Sequence, residues 1–283
     1  MTMTSKKLVA TTIVKDEEQL IGNCLSSVQN QSYPISLHLI VDDHSEDRTV
    51  QAIKEMSFKN LKVCNSKYPK LPRQYGYHQL RLRQQAIEES TQLMPDWGYL
   101  LNIDADCFLE KNYCETLIHE LEKNNKLGIA GAKYLTTPSQ VELTSSIRVR
   151  GCNHIVKRSF FDYCLKAGKN YANILGERLL EHHAWIHGWE TKTFPLIVSQ
   201  ARETGQNGVT GFEKGIYDFQ LGDPWFVSLV NLRRFSRENF MRLLGWFTGK
   251  FRGEKQYFSK SEIKSLRKFF VDYYIKKLGG EKL

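Results

Sequence analysis

The sequence predicts an α/β fold: a Rossmann-like, mostly parallel sheet with helices on both faces, followed by a basic helical extension. Three observations carry this. Apolar runs of strand length alternate with helically spaced apolar residues through the first half of the chain. Two of those runs end in closely spaced aspartates, at the carboxyl ends where such sheets bind ligands. From about 223 onward the chain turns helical in pattern, aromatic and basic.

The first strand is LVATTIV (8–14), followed by DEEQLIGNCLSSVQNQ, in which Leu20, Ile21, Cys24, Leu25 and Val28 keep helical spacing. SLHLIVDD (36–43) is the second strand, a polar helix lies near 46–56, and NLKVCN (60–65) is the third strand. A helix around 76–90 leads to the strand GYLLNIDAD (98–106), and another near 110–123 leads to LGIAGA (127–132). Past residue 140 the pattern changes. VELTSSIRVRG reads as a strand ending at Gly151, and HIVKRSFFDYCLKAG as a helix stopped by glycine. ILGERLLEHHAWIHGW is a helix closed by Gly188, ETKTFPLIV a strand, and ARETGQNGVTG a glycine-rich polar loop.

At 283 residues the chain accommodates one large α/β domain, or one domain with an appendage. Its composition, 41% hydrophobic and 25% charged, is that of a globular protein. No apolar run approaches the roughly 18 residues of a spanning helix. The apolar stretch in MTMTSKKLVATTIVKDEEQ is too short, and too closely followed by acid, for a signal peptide. Six scattered cysteines with no CxxC pair read as buried free thiols rather than bridges. A zinc site from Cys107 and Cys114 with the His182–His183 pair is not favoured by their spacing. The net charge of +9 is uneven: residues 233–283 hold 14 Lys and Arg against 5 Asp and Glu, whereas the first 232 residues are neutral. That distribution, and the lack of a reader motif, argue against nucleic acid as a partner.

In GYLLNIDADCFLE the strand ends in Asp104 and Asp106, one residue apart and so on one face. Carboxylates held side by side repel unless a proton, a cation or a metal lies between them. The plain alternative is a turn, since Asp commonly starts loops. Asp42 and Asp43 end another strand on the same rim, so the pair does not stand alone. Asp47 reads as a helix cap or turn residue.

Four stretches now stand in order: TTIVKDEEQLIGNCLSSVQNQSYP, LIVDDHSEDRT, YLLNIDADCFLE and GERLLEHHAWIHGWETKTFP. This succession resembles the nucleotide-sugar-dependent glycosyltransferases of family 2, which have the GT-A fold. CLSSVQNQSYP matches the family's S-x-x-x-Q-x-Y-P, Asp42-Asp43-His44-Ser45 stands for its Asp-Asp-Gly-Ser, and Asp104-Ala105-Asp106 is its Asp-x-Asp motif. The resemblance covers about residues 7 to 235. It implies an inverting hexosyltransferase-like enzyme that moves a sugar from a UDP- or GDP-sugar donor to a glycan or lipid-linked acceptor, in polysaccharide or glycoconjugate biosynthesis. It implies a catalytic domain over 1–232, with a nucleotide-sugar half to about 132 and an acceptor half beyond, and a tail over 233–283.

The resemblance also implies residue roles. A divalent metal, Mn2+ or Mg2+, is expected on Asp106 with Asp104 toward the ribose or the metal; hard cations take such oxygen ligands. Asp42 or Asp43 is expected to accept hydrogen bonds from the base or ribose. Thr12, Val14, Asp16 and Glu17 belong to the same donor-nucleotide set, with Arg83 (or Arg81) and Lys214 toward the diphosphate. The base that takes the acceptor proton is expected at Glu177, eleven residues before Gly188-Trp189, or at Glu181 one helical turn later.

The chain departs from the family where a histidine often completes the metal shell. Gln200 and Ala201 stand there, ahead of an Arg202–Gly211 loop that resembles a lid, so metal dependence stays open. The non-enzyme alternative is a degenerate relative that binds nucleotide sugar or glycan without turnover. The Asp-x-Asp-x-Thr motif of aspartyl-phosphate phosphatases is a poorer match, because Phe108 replaces its threonine. The expected location is cytoplasmic, at the inner face of the cell membrane if the basic amphipathic tail makes peripheral contact.

Overall fold

Lys7–Val14 forms β1, a strand buried along almost its whole length, as the centre of a parallel sheet requires. Around it the computed structural model describes residues 6–70, 77–137, 140–141, 147–149, 153–166, 177–201, 210–231 and 236–279. Ile21–Gln29 forms α1, with Ile21, Cys24, Leu25 and Val28 buried at the expected spacing. Ile35–Asp42 (β2), Thr49–Glu55 (α2), Leu61–Asn65 (β3) and Tyr77–Leu93 (α3) follow. Trp97–Asp104 is β4, Cys107–Phe108 a short β5, Tyr113–Lys123 α4 and Leu127–Thr137 β6. After Gln140–Val141 (β7) come His154–Lys157 (β8), Arg158–Lys166 (α5), Glu177–Ile186 (α6) and Glu190–Ala201 (β9). The chain ends with Gly211–Gln220 (α7), Trp225–Asn231 (α8), Arg237–Phe251 (α9) and Lys260–Leu278 (α10).

Among the described residues the strands form one sheet in the order β3-β2-β1-β4-β8-β6-β9-β5, with β7 paired to β6. β3, β2, β1 and β4 run parallel, as the alternation of strands and helices predicts. β8 then runs antiparallel between β4 and β6, with Asn102 opposite His154 and Ile129 opposite Val156. This corrects the reading of HIVKRSFFDYCLKAG as one helix. His154–Lys157 is a strand because both flanks are hydrogen-bonded to neighbours and all of its side chains are buried; the helix begins only at Arg158. The strand expected to end at Gly151 falls largely outside the described residues.

β6 and β9 pair in parallel, with a register shift that leaves 195–197 unpaired between Phe194 and Val198. Pro195 has no N–H to give the ladder, so an irregularity there is expected. β5 pairs with the far end of β9, Cys107 opposite Ala201 and Phe108 opposite Gln200.

The chain divides into two compact units, residues 1–184 with 189–203, and residues 185–188 with 204–283. In the first, Leu8, Ala10, Tyr99, Leu101, Leu117 and Ile155 belong to one buried cluster, while Val14, Leu25, Ile40 and Ile53 belong to another. In the second, α7 and α9 meet through glycines on both helices. A Cβ on Gly215 would stand 1.9 Å from the Arg242 carbonyl, and one on Gly245 2.0 Å from the Phe212 carbonyl. The expected boundary at 232 falls between α8 and α9, inside this second unit. No helix among the described residues is long and apolar enough to cross a membrane.

Candidate active site

Parallel register brings the carboxyl ends of β2, β1 and β4 side by side: Val14 lies beside Asp42, and Ile13 beside Asp104. The acidic strand ends therefore flank the exit of β1 on one rim. Asp43 is anchored there by its own N–H, which donates to the Val14 carbonyl at 2.8 Å. Its buried carboxylate faces the His78 Nε2 of α3, 3.0 Å from each oxygen, with Lys15 Nζ at 3.6 Å from one of them. Asp42, also buried, accepts from the Ser45 N–H at 3.3 Å. Between them and Ser45, His44 adopts φ 57°, a left-handed conformation that favours glycine. Its ring Nε2 lies 2.8 Å from the Tyr68 carbonyl, a contact that helps hold the turn.

The turn after β1 is stitched to this loop by reciprocal bonds. Asp16 donates its N–H to Ser45 Oγ at 3.0 Å and accepts from the Glu46 N–H at 2.7 Å. The Glu17 N–H donates to Thr49 Oγ1 at 2.7 Å, and the Glu18 N–H to Asp47 at 3.0 Å. Asp47 also accepts from the Thr49 N–H at 2.9 Å in the turn that leads into α2, whose N-cap is Arg48. The Asp16 carboxylate is thus engaged in joining two loops. Thr12 points into the sheet, its hydroxyl 2.9 Å from His38 Nε2, while Val14 contributes its carbonyl to the rim. Burial lowers the pKa of His38 to about 3, so this histidine stays neutral.

Asp104 opens to solvent and is met by the Arg83 guanidinium of α3 at 3.1 Å. Arg81 stacks instead on the Tyr68 ring, 5.3 Å from its centroid. Beneath Asp104 a cross-strand row runs from Thr11 to Asn102 at 2.8 Å and on to His154 at 3.0 Å. Thr11, Asn102, Arg83 and Asp104 line a narrow cleft. Asp106 occupies the turn after β4, with the Cys107 thiol 3.6 Å from its Oδ1. Burial pushes the neighbouring Cys24 thiol well up, and the charges of Cys107, Asp104 and Asp106 add to that.

The donor set at Asp104 and Asp106 is all oxygen, which suits a hard divalent cation that keeps much of its shell for water and phosphate. Among the described residues no group of three His, Cys, Asp or Glu side chains converges. The pairing of β5 with β9 sets the backbone of Gln200 and Ala201 beside the segment that follows Asp106.

Glu181 is 2% exposed, salt-bridged to Arg148 at 2.9 Å and accepting from the Val149 N–H. It pins 147–149 against the sheet, where Val149 fills the space over Gly131 and Thr191 bonds the Ile147 carbonyl. Burial pushes its carboxyl up to about 7, against the pull of Arg148 and the Val149 N–H. Glu177 is the first residue of α6; its side chain, like those of Gln200 and Ala201 and the Arg202–Val209 stretch, lies outside the described residues. His182 and His183 are buried. Lys214 belongs to the second unit, paired with Glu238 at 2.6 Å.

Sequence reasoning passed over His78 and Lys15, which hold Asp43. The signal for His78 was its spacing: His78, Leu82 and Ala86 share the buried face of α3.

The fold is α/β, with an acidic rim at the strand ends where such sheets take their ligands. The family model for glycosyl transferase family 2 matches residues 11–176, more than half of the chain, and the chain belongs to that family. It is similar in fold to S. aureus TarS 1–349 in complex with UDP, at 13% identity and TM-score 0.51, over 80% of this chain and 65% of that one. It is also similar to the mannosyltransferase PcManGT from Pyrobaculum calidifontis in complex with GDP-Man and Mn2+, at 13% identity and TM-score 0.54, over 99% of this chain and 77% of that one. TarS 1–349 with UDP-GlcNAc aligns at 13% identity and TM-score 0.53, over 80% and 66%. No curated protein matches the chain.

Proposed function

We propose that the chain moves a sugar from a nucleotide-sugar donor to the hydroxyl of a glycan or lipid-linked acceptor, with inversion, in polysaccharide or glycoconjugate biosynthesis. The carrying observation is the rim, with Asp42 and Asp43 on one side of β1 and, on the other, Asp104 paired with Arg83. The UDP, UDP-GlcNAc and GDP-Man of the similar structures support a nucleotide sugar as donor, and the Mn2+ of one supports a divalent cation.

Asp43, held in place by His78 and Lys15, accepts hydrogen bonds from the base or ribose, with Asp42 shaping the turn beside it. Arg83 offers a guanidinium fork to the diphosphate from the position where it now meets Asp104. Asp104 and Asp106 would hold Mn2+ or Mg2+, which neutralises charge on the departing nucleoside diphosphate. Glu177, at the start of α6, takes the proton from the acceptor hydroxyl as that oxygen attacks the sugar C1 opposite the leaving group. Glu181 is a poor second candidate, because its enclosed carboxylate already has both oxygens engaged.

The test is turnover. Wild-type protein incubated with UDP-GlcNAc or GDP-mannose and Mn2+ is expected to release nucleoside diphosphate slowly by hydrolysis, faster with a suitable acceptor. Glu177→Gln is expected to keep donor binding and lose release by about 100-fold or more. Donor binding with no release by wild type under any condition supports instead a relative that binds without turnover.

A further inference from the structure

We propose that α9 is an interfacial helix that seats the protein on an anionic lipid surface. Phe240, Leu244, Phe247 and Phe251 recur at i, i+4, i+7 and i+11, which places them along one side of the helix. Phe240 is 54%, Leu244 41% and Phe251 84% exposed, with Phe247 half-buried between them. The stripe spans about 16 Å at 1.5 Å per residue. It is firmly presented, because the other side of α9 carries the buried Gly245, Trp246 and Gly249 against α7.

The charges around the stripe identify its occupant. Arg237 stands at the start of α9, and Lys250, Arg252 and Lys255 stand at its end, all exposed and in no ion pair among the described residues. The helix's own acid, Glu238, is tied to Lys214 at 2.6 Å, and Arg242 is tied to the buried Asp218. An apolar stripe with exposed cations at both ends, Lys250 among them over the Trp246 ring at 6.0 Å, matches a bilayer boundary, where the acyl region takes the rings and anionic headgroups take the cations. A second copy of the chain fits worse. Antiparallel packing of two α9 helices would set Arg237 of each against Lys250 and Arg252 of the other, like charge against like charge. No described helix is suited to span a bilayer, so contact is in the plane of the surface.

This proposal goes beyond the transferase reading and does not rest on it. The full chain is to be sedimented with vesicles of phosphatidylglycerol mixed with phosphatidylcholine, and with phosphatidylcholine alone. Wild type is expected to pellet with the anionic vesicles, to be released by salt, and to stay largely in solution with the neutral ones. Lys250→Ala with Arg252→Ala is expected to weaken binding roughly fivefold per cation removed, the equivalent of about 1 kcal/mol each. Phe240→Ser with Phe251→Ser is expected to abolish pelleting while the circular-dichroism spectrum stays as in wild type, since both side chains are exposed. Failure of wild type to pellet, equal pelleting with both vesicles, or unchanged pelleting of the serine variant would overturn the proposal. So would a wild-type dimer that the serine variant converts to monomer, which assigns the stripe to a second copy.

Discussion

Glu181 and His38 are both enclosed, and burial moves them in opposite directions: the carboxyl up to about 7 from 4.5, the imidazole down to about 3 from 6.5. Folded protein therefore keeps a proton on Glu181 that unfolded chain releases between about pH 4.5 and 7. That contribution is full below 4.5 and lost as pH rises through 7, on the order of 3 kcal/mol across the window. His38 contributes in the other sense, with stability present above 6.5 and lost as pH falls toward 3. Urea titrations of wild type and Glu181→Gln at pH 5 and pH 8 are expected to show wild type losing ground to the variant at the higher pH. Equal differences at both pH values would rule that out.

Arg83 is the rim's one charge-assisted bond to Asp104 among the described contacts, and a donor diphosphate is expected to compete for it. Arg83→Gln is expected to weaken donor binding about tenfold or more, the scale of a lost charge-assisted hydrogen bond. Fluorescence titration with a nucleotide sugar reads this directly; an unchanged affinity would remove Arg83 from the site. The paired aspartates were legible in the sequence because each follows an apolar run whose end is easily placed. The roles of His78 and Lys15 were not, because the spacing of His78 marks only a buried helix face, and its contact with Asp43 comes from packing α3 against the sheet.

At the scale of elements, local pattern found α9 as a basic amphipathic helix but not why GFEKG and GWFTG carry their glycines. Those glycines let the backbones of α7 and α9 approach so closely that a methyl group at Gly215 or Gly245 would meet a carbonyl oxygen near 2 Å. Gly215→Ala is expected to destabilise the protein by about 1–3 kcal/mol or more, the cost of overpacking, despite the better helix propensity of alanine. Trp246 lies in this contact, so a urea melt followed by tryptophan fluorescence reports on it. A midpoint equal to or above wild type would contradict the close approach. HIVK misled for a related reason. Its helical neighbour SFFDYC extends a plausible period backward, and only pairing with β4 and β6, distant in sequence, makes it a strand.

At the scale of the whole molecule, the parallel half of the sheet was legible because its strands alternate with helices, although the pairing of β1 with the distant β4 comes from the fold. The other half was not, because β8 inserts between β4 and β6 and the two-residue β5 exists only through β9. That second half nevertheless sets the backbone of Gln200 and Ala201 beside the segment that follows Asp106. The two carboxylates of the proposed metal site suit a cation shared with the donor's own phosphates. Calorimetric titration of wild type and Asp106→Ala with UDP-GlcNAc and GDP-mannose, with and without Mn2+, tests this most directly. Wild type is expected to bind one of these donors, more tightly with Mn2+, and Asp106→Ala is expected to lose the Mn2+ enhancement. No binding of either donor under any condition, or an Mn2+ enhancement that survives in Asp106→Ala, would contradict it.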